Sequence, residues 1–373
     1  MRSQRNTARF ALTFLVAGLF LSTWAVAEQK VDAPAAEFGE MVEVSEVLLD
    51  VLVTDKSGNV VLGLDKDDFV VRQGKEDQDL TGVSFYSNRF QLRDGEEGIQ
   101  KPLVNEVLAD RYFILFFHNP LRDGQLGGVL QRRTFEAVRE AQRWVEEQMI
   151  PGDWVAVASW DYKLKVQQDF TQDRALLVGA LQDVLKRKDP ENEYATRRPE
   201  VPEGQPTLLA NLPEGKDLRK RTARIYDALR LVSEATGGIL GRKNLVLFTA
   251  GFGELDAGFP TARADERFYP ELEQATNDNN VAIYAVDLKP TGSETLQEDF
   301  LNRLSTDTGG RYQGTFVSFT TPLEEIASEV NGYYLLSYQA EHGAGESGYQ
   351  EVRVDTVNPE LKVRARKGYR YGS

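Results

Sequence analysis

Residues 112–117 read Tyr-Phe-Ile-Leu-Phe-Phe, an unbroken apolar run between Asp110-Arg111 and the polar turn His118-Asn119-Pro120. A strand covered on both faces has no alternation to display, so this run predicts the central strand of a buried parallel sheet. Beyond it the apolar positions switch to helical spacing and back. Phe135, Val138, Ala141, Val145 and Met149 predict one stripe of a helix over 131–150. A strand is expected over 154–160 and a more polar, antiparallel edge strand over 164–170. Leu176, Leu177, Ala180, Leu181, Val184 and Leu185 then predict the buried side of a helix over 173–186. Five prolines and many charges between 188 and 216 mark an excursion loop. After it, helices are expected over 222–235 (Ile225, Leu229 and Val232 inward), 265–276 and 295–304, with strands over 244–249, 281–288 and 311–317. Thr321-Pro322-Leu323-Glu324 has the form of a capping box opening a last helix that carries Leu323, Ile326, Ala327 and Val330. Alternation of this kind predicts a doubly wound, mostly parallel six-stranded α/β domain over 109–330.

The two ends of the chain have a different rhythm. Val47, Leu49, Val51 and Val53 alternate with Glu46, Asp50 and Thr54, the pattern of a half-buried strand starting near Val44. Short strands follow at 60–64, 67–72 and 82–86, and three more close the chain at 333–339, 349–357 and 361–367. Each group alone leaves apolar faces and edges uncovered. Pairing residues 44–90 with 331–373 gives one seven-stranded antiparallel β-sandwich interrupted by the α/β domain, with 91–108 as linker.

The first 27 residues hold Arg2, Arg5 and Arg9, then a short apolar segment, then Ala25-Val26-Ala27. That order predicts a secretory signal cleaved after Ala27, with an uncleaved membrane anchor as the alternative reading, followed by a flexible leader over 28–43. The destination is then the periplasm or the exterior, with no stable membrane insertion once the signal is removed. The absence of cysteine excludes thiolate metal sites, cysteine nucleophiles and a lipid anchor on cysteine. Loss of the three arginines takes the net charge from −14 to −17, which argues against nucleic acid and anionic lipid as partners.

Several phrases in order resemble the von Willebrand factor type A domain family, in its exported bacterial VWFA-related form. They are Leu49-Asp50-Val51-Leu52-Val53-Thr54-Asp55 with Gly63-Leu64-Asp65-Lys66-Asp67-Asp68-Phe69, Ile225-Tyr226-Asp227-Ala228-Leu229, and Gly241-Arg242-Lys243 before Leu245-Val246-Leu247-Phe248-Thr249. Ile283-Tyr284-Ala285-Val286, Thr308-Gly309-Gly310-Arg311-Tyr312, Tyr333-Tyr334-Leu335-Leu336-Ser337-Tyr338 and Arg366-Lys367-Gly368-Tyr369 follow. The resemblance implies a ligand face at the carboxyl ends of the strands. In the family that face carries a metal-ion-dependent adhesion site built from an Asp-x-Ser-x-Ser turn, a Thr and an Asp. Here those positions fall on His118, Pro120, Arg122, Ala223 and Ala250. Proline and alanine offer no side-chain oxygen to a hard cation, and Arg122 brings a positive charge. The expectation is a degenerate site with no metal and no cofactor, whose candidate ligand-face residues are His118, Asn119, Arg122, Asp123, Asp161, Thr222 and Glu254. Asp256 and Asp287 complete the polar residues expected on the same rim.

Other chemistries are poorly represented. Histidine occurs at 118 and 342 alone, and no Gly-x-Ser-x-Gly is present, which removes the usual serine hydrolase. Gly251-Phe252-Gly253-Glu254 lacks the third glycine of a dinucleotide loop and carries negative charge where a pyrophosphate would lie. Asp67-Asp68 reads as a solvated turn, and Tyr333, Tyr334, Tyr338, Tyr369 and Tyr371 as packing within the sandwich. Arg187, Lys188, Arg197, Arg198, Arg219, Lys220, Arg221 and Arg224 form the one basic concentration. The expected function is a non-enzymatic, exported interaction or adhesion-type module that binds a protein partner through the ligand face. Two alternatives are an exported metal-dependent hydrolase with an unorthodox site on that face, and a structural envelope protein.

Overall fold

The computed structural model describes residues 42–87, 106–108, 110–120, 124–190, 201–202, 204–255, 262–289, 297–314, 318–343 and 345–372. The expected signal peptide with its Ala27 cleavage site, most of the leader, and residues Arg122, Asp123, Arg197, Arg198 and Asp256 lie outside them.

In chain order, the elements up to the first long helix are β1 (Val42–Thr54), β2 (Phe69–Gln73), β3 (Glu76–Gln78), β4 (Leu80–Ser87), β5 (Glu106–Leu108), β6 (Arg111–His118) and α1 (Gly124–Glu147). Then come β7 (Asp153–Trp160), β8 (Leu164–Thr171), α2 (Arg174–Leu185), α3 (Gly215–Arg221), α4 (Ile225–Ala235), β9 (Lys243–Thr249) and the small hairpin β10 (Glu254–Leu255) and β11 (Ala262–Arg263). The chain closes with α5 (Tyr269–Asp278), β12 (Val281–Asp287), α6 (Glu298–Asp307), β13 (Tyr312–Gln313), α7 (Thr320–Glu329), β14 (Gly332–Gly343), β15 (Gly348–Thr356), β16 (Lys362–Arg364) and β17 (Gly368–Tyr371).

The central sheet has the order β13-β12-β9-β6-β7-β8, parallel throughout except for β8, which runs antiparallel to β7 at the edge. The predicted six-stranded, doubly wound sheet is therefore present, with β6 at its centre. β6 feeds both sides of it. Phe113, Leu115 and Phe117 pack with α1, α2 and α7 on one face, while Ile114 and Phe116 pack with α4, α5 and α6 on the other.

Apart from the two-stranded β10–β11 hairpin, the remaining sheets are two, built from both ends of the chain. One has the order β16-β1-β14-β4-β5 and the other β17-β15-β2-β3. Leu49, Val51, Phe85, Tyr334, Leu336 and Tyr338 from the first meet Phe69, Val71, Val352, Val354 and Tyr369 from the second in one core. The sheets hold nine strands, against the seven expected. Residues 60–64 contribute one bridge, Thr54 to Val60, instead of a strand. β3 was not foreseen, β5 falls inside the segment expected to be linker, and the strand expected over 361–367 is the short β16 with a further strand, β17, after it. The turn expected to start a strand at Asp67 is a 3-10 turn over Lys66–Asp68, where the Asp65 side chain accepts from the Asp67 amide and Asp68 accepts from the Asp65 amide.

Other expectations need correction. α1 starts at Gly124, and its inward stripe runs through Ala137, Val138, Ala141, Trp144 and Val145, leaving Phe135 47% exposed. Leu176, in the first turn of α2, is 52% exposed. The helix expected over 222–235 is α4, which starts three residues later at Ile225, and an unforeseen short helix, α3, follows the excursion loop ahead of it. Of the last strand, expected over 311–317, Tyr312–Gln313 is strand and residues 315–317 lie outside the described residues. Thr321 is not a cap: α7 begins at Thr320 behind Phe319, with no side-chain cap bond. Phe319 is buried under the Arg133 guanidinium, 4.2 Å from its ring centre, and this anchor sets the entry of the helix.

Candidate functional site

The carboxyl ends of β6, β7, β9 and β12 place His118, Trp160, Thr249 and Asp287 along one edge of the parallel sheet. In doubly wound folds this is where ligands lie. The register of β6 on β9 sets Phe117 against Phe248, so the next residue on each strand, His118 and Thr249, comes together. The imidazole Nδ1 lies 2.7 Å from Thr249 Oγ1. His118 is 6% exposed, with Trp160 tilted against it at 5.3 Å and Phe252 edge-on at 5.5 Å. It is a buried ring whose Nδ1 is committed to Thr249.

The other candidates are engaged in the same way. Thr222 is fully buried: its hydroxyl donates to Leu218 O (2.7 Å) and accepts from the Leu164 amide (3.0 Å), while its carbonyl accepts from Trp160 Nε1 (2.8 Å). It ties α3 to the β7–β8 turn. Asn119 accepts through Oδ1 from Arg187 (2.9 Å). Asp161 pairs with Lys165 at 2.9 Å, and Lys165, itself 3% exposed, also reaches Asp189 (2.9 Å) and the Arg187 carbonyl (3.0 Å). Asp189 is held below the usual carboxylate range by hydrogen bonds from Lys165 and Lys163, which outweigh its partial desolvation. Glu254 stands apart, exposed on the β10–β11 hairpin and paired with Arg267. Asp287 is buried and accepts from Tyr312 OH (2.9 Å) and the Lys289 amide (2.9 Å).

These residues do not fit a hard dication. The family positions at Pro120 and Ala250 have no side-chain donor oxygen, Ala223 is an exposed methyl, and His118 is already bonded. A guanidinium, that of Arg187, lies against Asn119 beside the place where the ion would be held. Among the described residues no three His, Asp or Glu side chains converge as metal ligands. The glycines that resembled a phosphate loop have a local task. Gly251 and Gly253 adopt φ of +92° and +118°, and a Cβ on them would meet Gln297 Cβ at 2.5 Å and Arg263 O at 2.6 Å.

Sequence reasoning missed Thr249, Arg187, Lys165 and Phe252 as parts of this rim. Thr249 was legible as the last residue of a strand. Arg187 was not, because it reaches Asn119 from a left-handed backbone position (φ 53°) just past the end of α2.

No family model matches the chain, and no curated protein matches it. Solved structures do. An aerotolerance-related membrane protein from Bacteroides fragilis NCTC 9343 is 13% identical, with 59% of this chain and 98% of that one covered at a TM-score of 0.36. The vWF domain of the type V pili tip protein Mfa5 from Porphyromonas gingivalis is 12% identical over 60% and 96%, with a TM-score of 0.39. The SpRpn10 VWA domain is 14% identical over 58% and 94%, with a TM-score of 0.32. At such scores these likenesses carry no argument, and the fold rests on strand order, the antiparallel edge and the helices on both faces. The α/β domain has a vWA-like fold. Within that vWA-like domain, His118, at the first of the positions the resemblance assigns to the adhesion site, bonds to Thr249. No helix of the described residues is long and apolar enough to cross a membrane.

Proposed function

We propose that this chain is an exported, non-enzymatic binding module that meets a protein partner with the loop face of its vWA-like domain, through surface complementarity and without a bridging divalent ion. The observation that supports this reading best is the engagement of the rim. His118 with Thr249, Thr222 with Leu218 and Leu164, Asn119 with Arg187, and Asp161 with Lys165 brace from beneath the loops that carry the exposed face, so that face is pre-ordered. A rigid rim lowers the ordering cost of association. Tyr162, 56% exposed beside Trp160, is the kind of aromatic that anchors interfaces.

Two measurements test the proposal. Melting curves with Mg²⁺, Mn²⁺ or Ca²⁺ at millimolar concentration are expected to coincide with the ion-free curve, because a ligand that binds the native state raises the midpoint. A clear rise, or a hydrolytic activity lost on chelation, would move the reading to a metal-dependent enzyme. A photo-crosslinking residue at Tyr162 is expected to trap a discrete partner in the native cell, whereas one at exposed Val357 on the sandwich serves as control. Equal labelling from both positions, or none, would leave the domain a structural spacer.

A further inference from the structure

We infer that the sandwich carries a second docking surface, unrelated to the loop face: the free edge of β1, which takes an extended peptide from another protein as an added strand. β1 pairs with β14 on one side from Val42 to Val51. On its other side β16 covers Leu52 to Thr54, and from Val42 to Val51 no described strand is paired there. The carbonyl of Leu48 faces that side, since it accepts from Arg366 Nη2 at 2.7 Å. Alternate residues of a strand direct their main-chain groups the same way, so Val44 and Glu46 present amide and carbonyl to the open edge.

The edge borders a cleft of about 590 Å³ whose opposite wall is β17, itself the last strand of its own sheet. His342 and Tyr371 stack at 3.7 Å along it. An added strand would run in line with β16, between two sheet edges, with alternate side chains entering the cleft. Its other side chains would lie beside Val44, Glu46 and Leu48. Val44 and Leu48 are 55% and 48% exposed, flanking an exposed carboxylate. Cross-strand complementarity then specifies the occupant: an extended segment with apolar, basic and apolar residues at alternate positions. A second copy of this chain fits poorly, because two-fold pairing centred on Glu46 sets carboxylate against carboxylate between molecules that each carry a net charge of −14.

The test uses the full chain and fluorescent peptides in which Val, Lys and Val alternate with Thr. Saturable binding is expected by anisotropy. Replacing the peptide Lys by Glu should weaken it about five- to ten-fold, and N-methylating the alternate amides that face β1 should abolish it. Glu46→Pro removes an amide that points away from β14, so the fold should survive by circular dichroism while binding is lost. If that variant does not fold, Glu46→Lys serves instead and should reverse the preference to the Glu peptide. Binding indifferent to N-methylation, no binding at all, or self-association removed by Glu46→Lys would each overturn the proposal.

Discussion

Arg111 and Asp153 form a pair that the sequence does not announce. Their side chains are 5% and 0% exposed, and the guanidinium is bidentate on the carboxylate at 2.6 and 2.7 Å. Arg111 also donates to Ala327 O and Asn331 Oδ1, so the starts of β6 and β7 are tied to the end of α7. Breaking a buried pair strands the partner charge; Asp153→Ala is expected to cost about 3–5 kcal/mol in urea denaturation. Lys243 gives a second prediction. Burial pushes its ammonium down to about 8, although Asp50 nearby acts the other way. Between that value and the ordinary 10.5, the unfolded chain holds a proton that the folded chain has lost. Stability should therefore rise as pH goes from about 8 towards 10, by at most about 3 kcal/mol. The Lys243→Met variant should lack this climb, as read from melting temperatures across that range.

At the scale of elements, Gly310 shows why one phrase of the sequence is spelled as it is. A Cβ there would lie 2.0 Å from the Ile283 carbonyl, so α6 and β13 close onto β12 only over a glycine. Gly310→Ala is expected to cost about 2–3 kcal/mol, measurable by thermal melting, since overpacking forces backbone shifts. The sequence disclosed long elements well. The Tyr112–Phe117 run was legible because both faces of β6 are buried, and β1 because one face is. Glu76–Gln78 was not, since three polar residues show no alternation, nor was Phe135, which lies off the buried stripe of Ala137, Val138, Ala141, Trp144 and Val145 and whose ring carries Arg139. The site was half legible. His118 stood out, but its partner Thr249 is 131 residues away and is found by strand order. The Thr222 hydroxyl, read as a rim group, is enclosed instead because α3 follows the loop.

For the whole molecule the segment after β16 matters most. Arg364 meets Glu329 at 2.6 Å, Arg366 donates to Asn277 O at 2.6 Å, and Lys367 pairs with Asp307. These three acceptors sit at the carboxyl ends of α7, α5 and α6, where the helix dipole favours cations. Asp50 of β1, whose carboxyl is raised by burial, adds the opposite charge near Arg242, Arg366 and Lys243. Sandwich and α/β domain are thereby joined through charged contacts under the parallel sheet. Calorimetry of the parent chain should give one transition; Arg364→Ala combined with Arg366→Ala should split it into two, as the modules melt separately.

The interrupted order of the chain has a mechanical corollary. Val42 opens β1 and Tyr371 ends β17, so a tether fixed near each would bring its tension first onto the two sandwich sheets. The contacts of Arg364, Arg366 and Lys367, just ahead of β17, are where such a pull would pass on to the helices that carry the loop face.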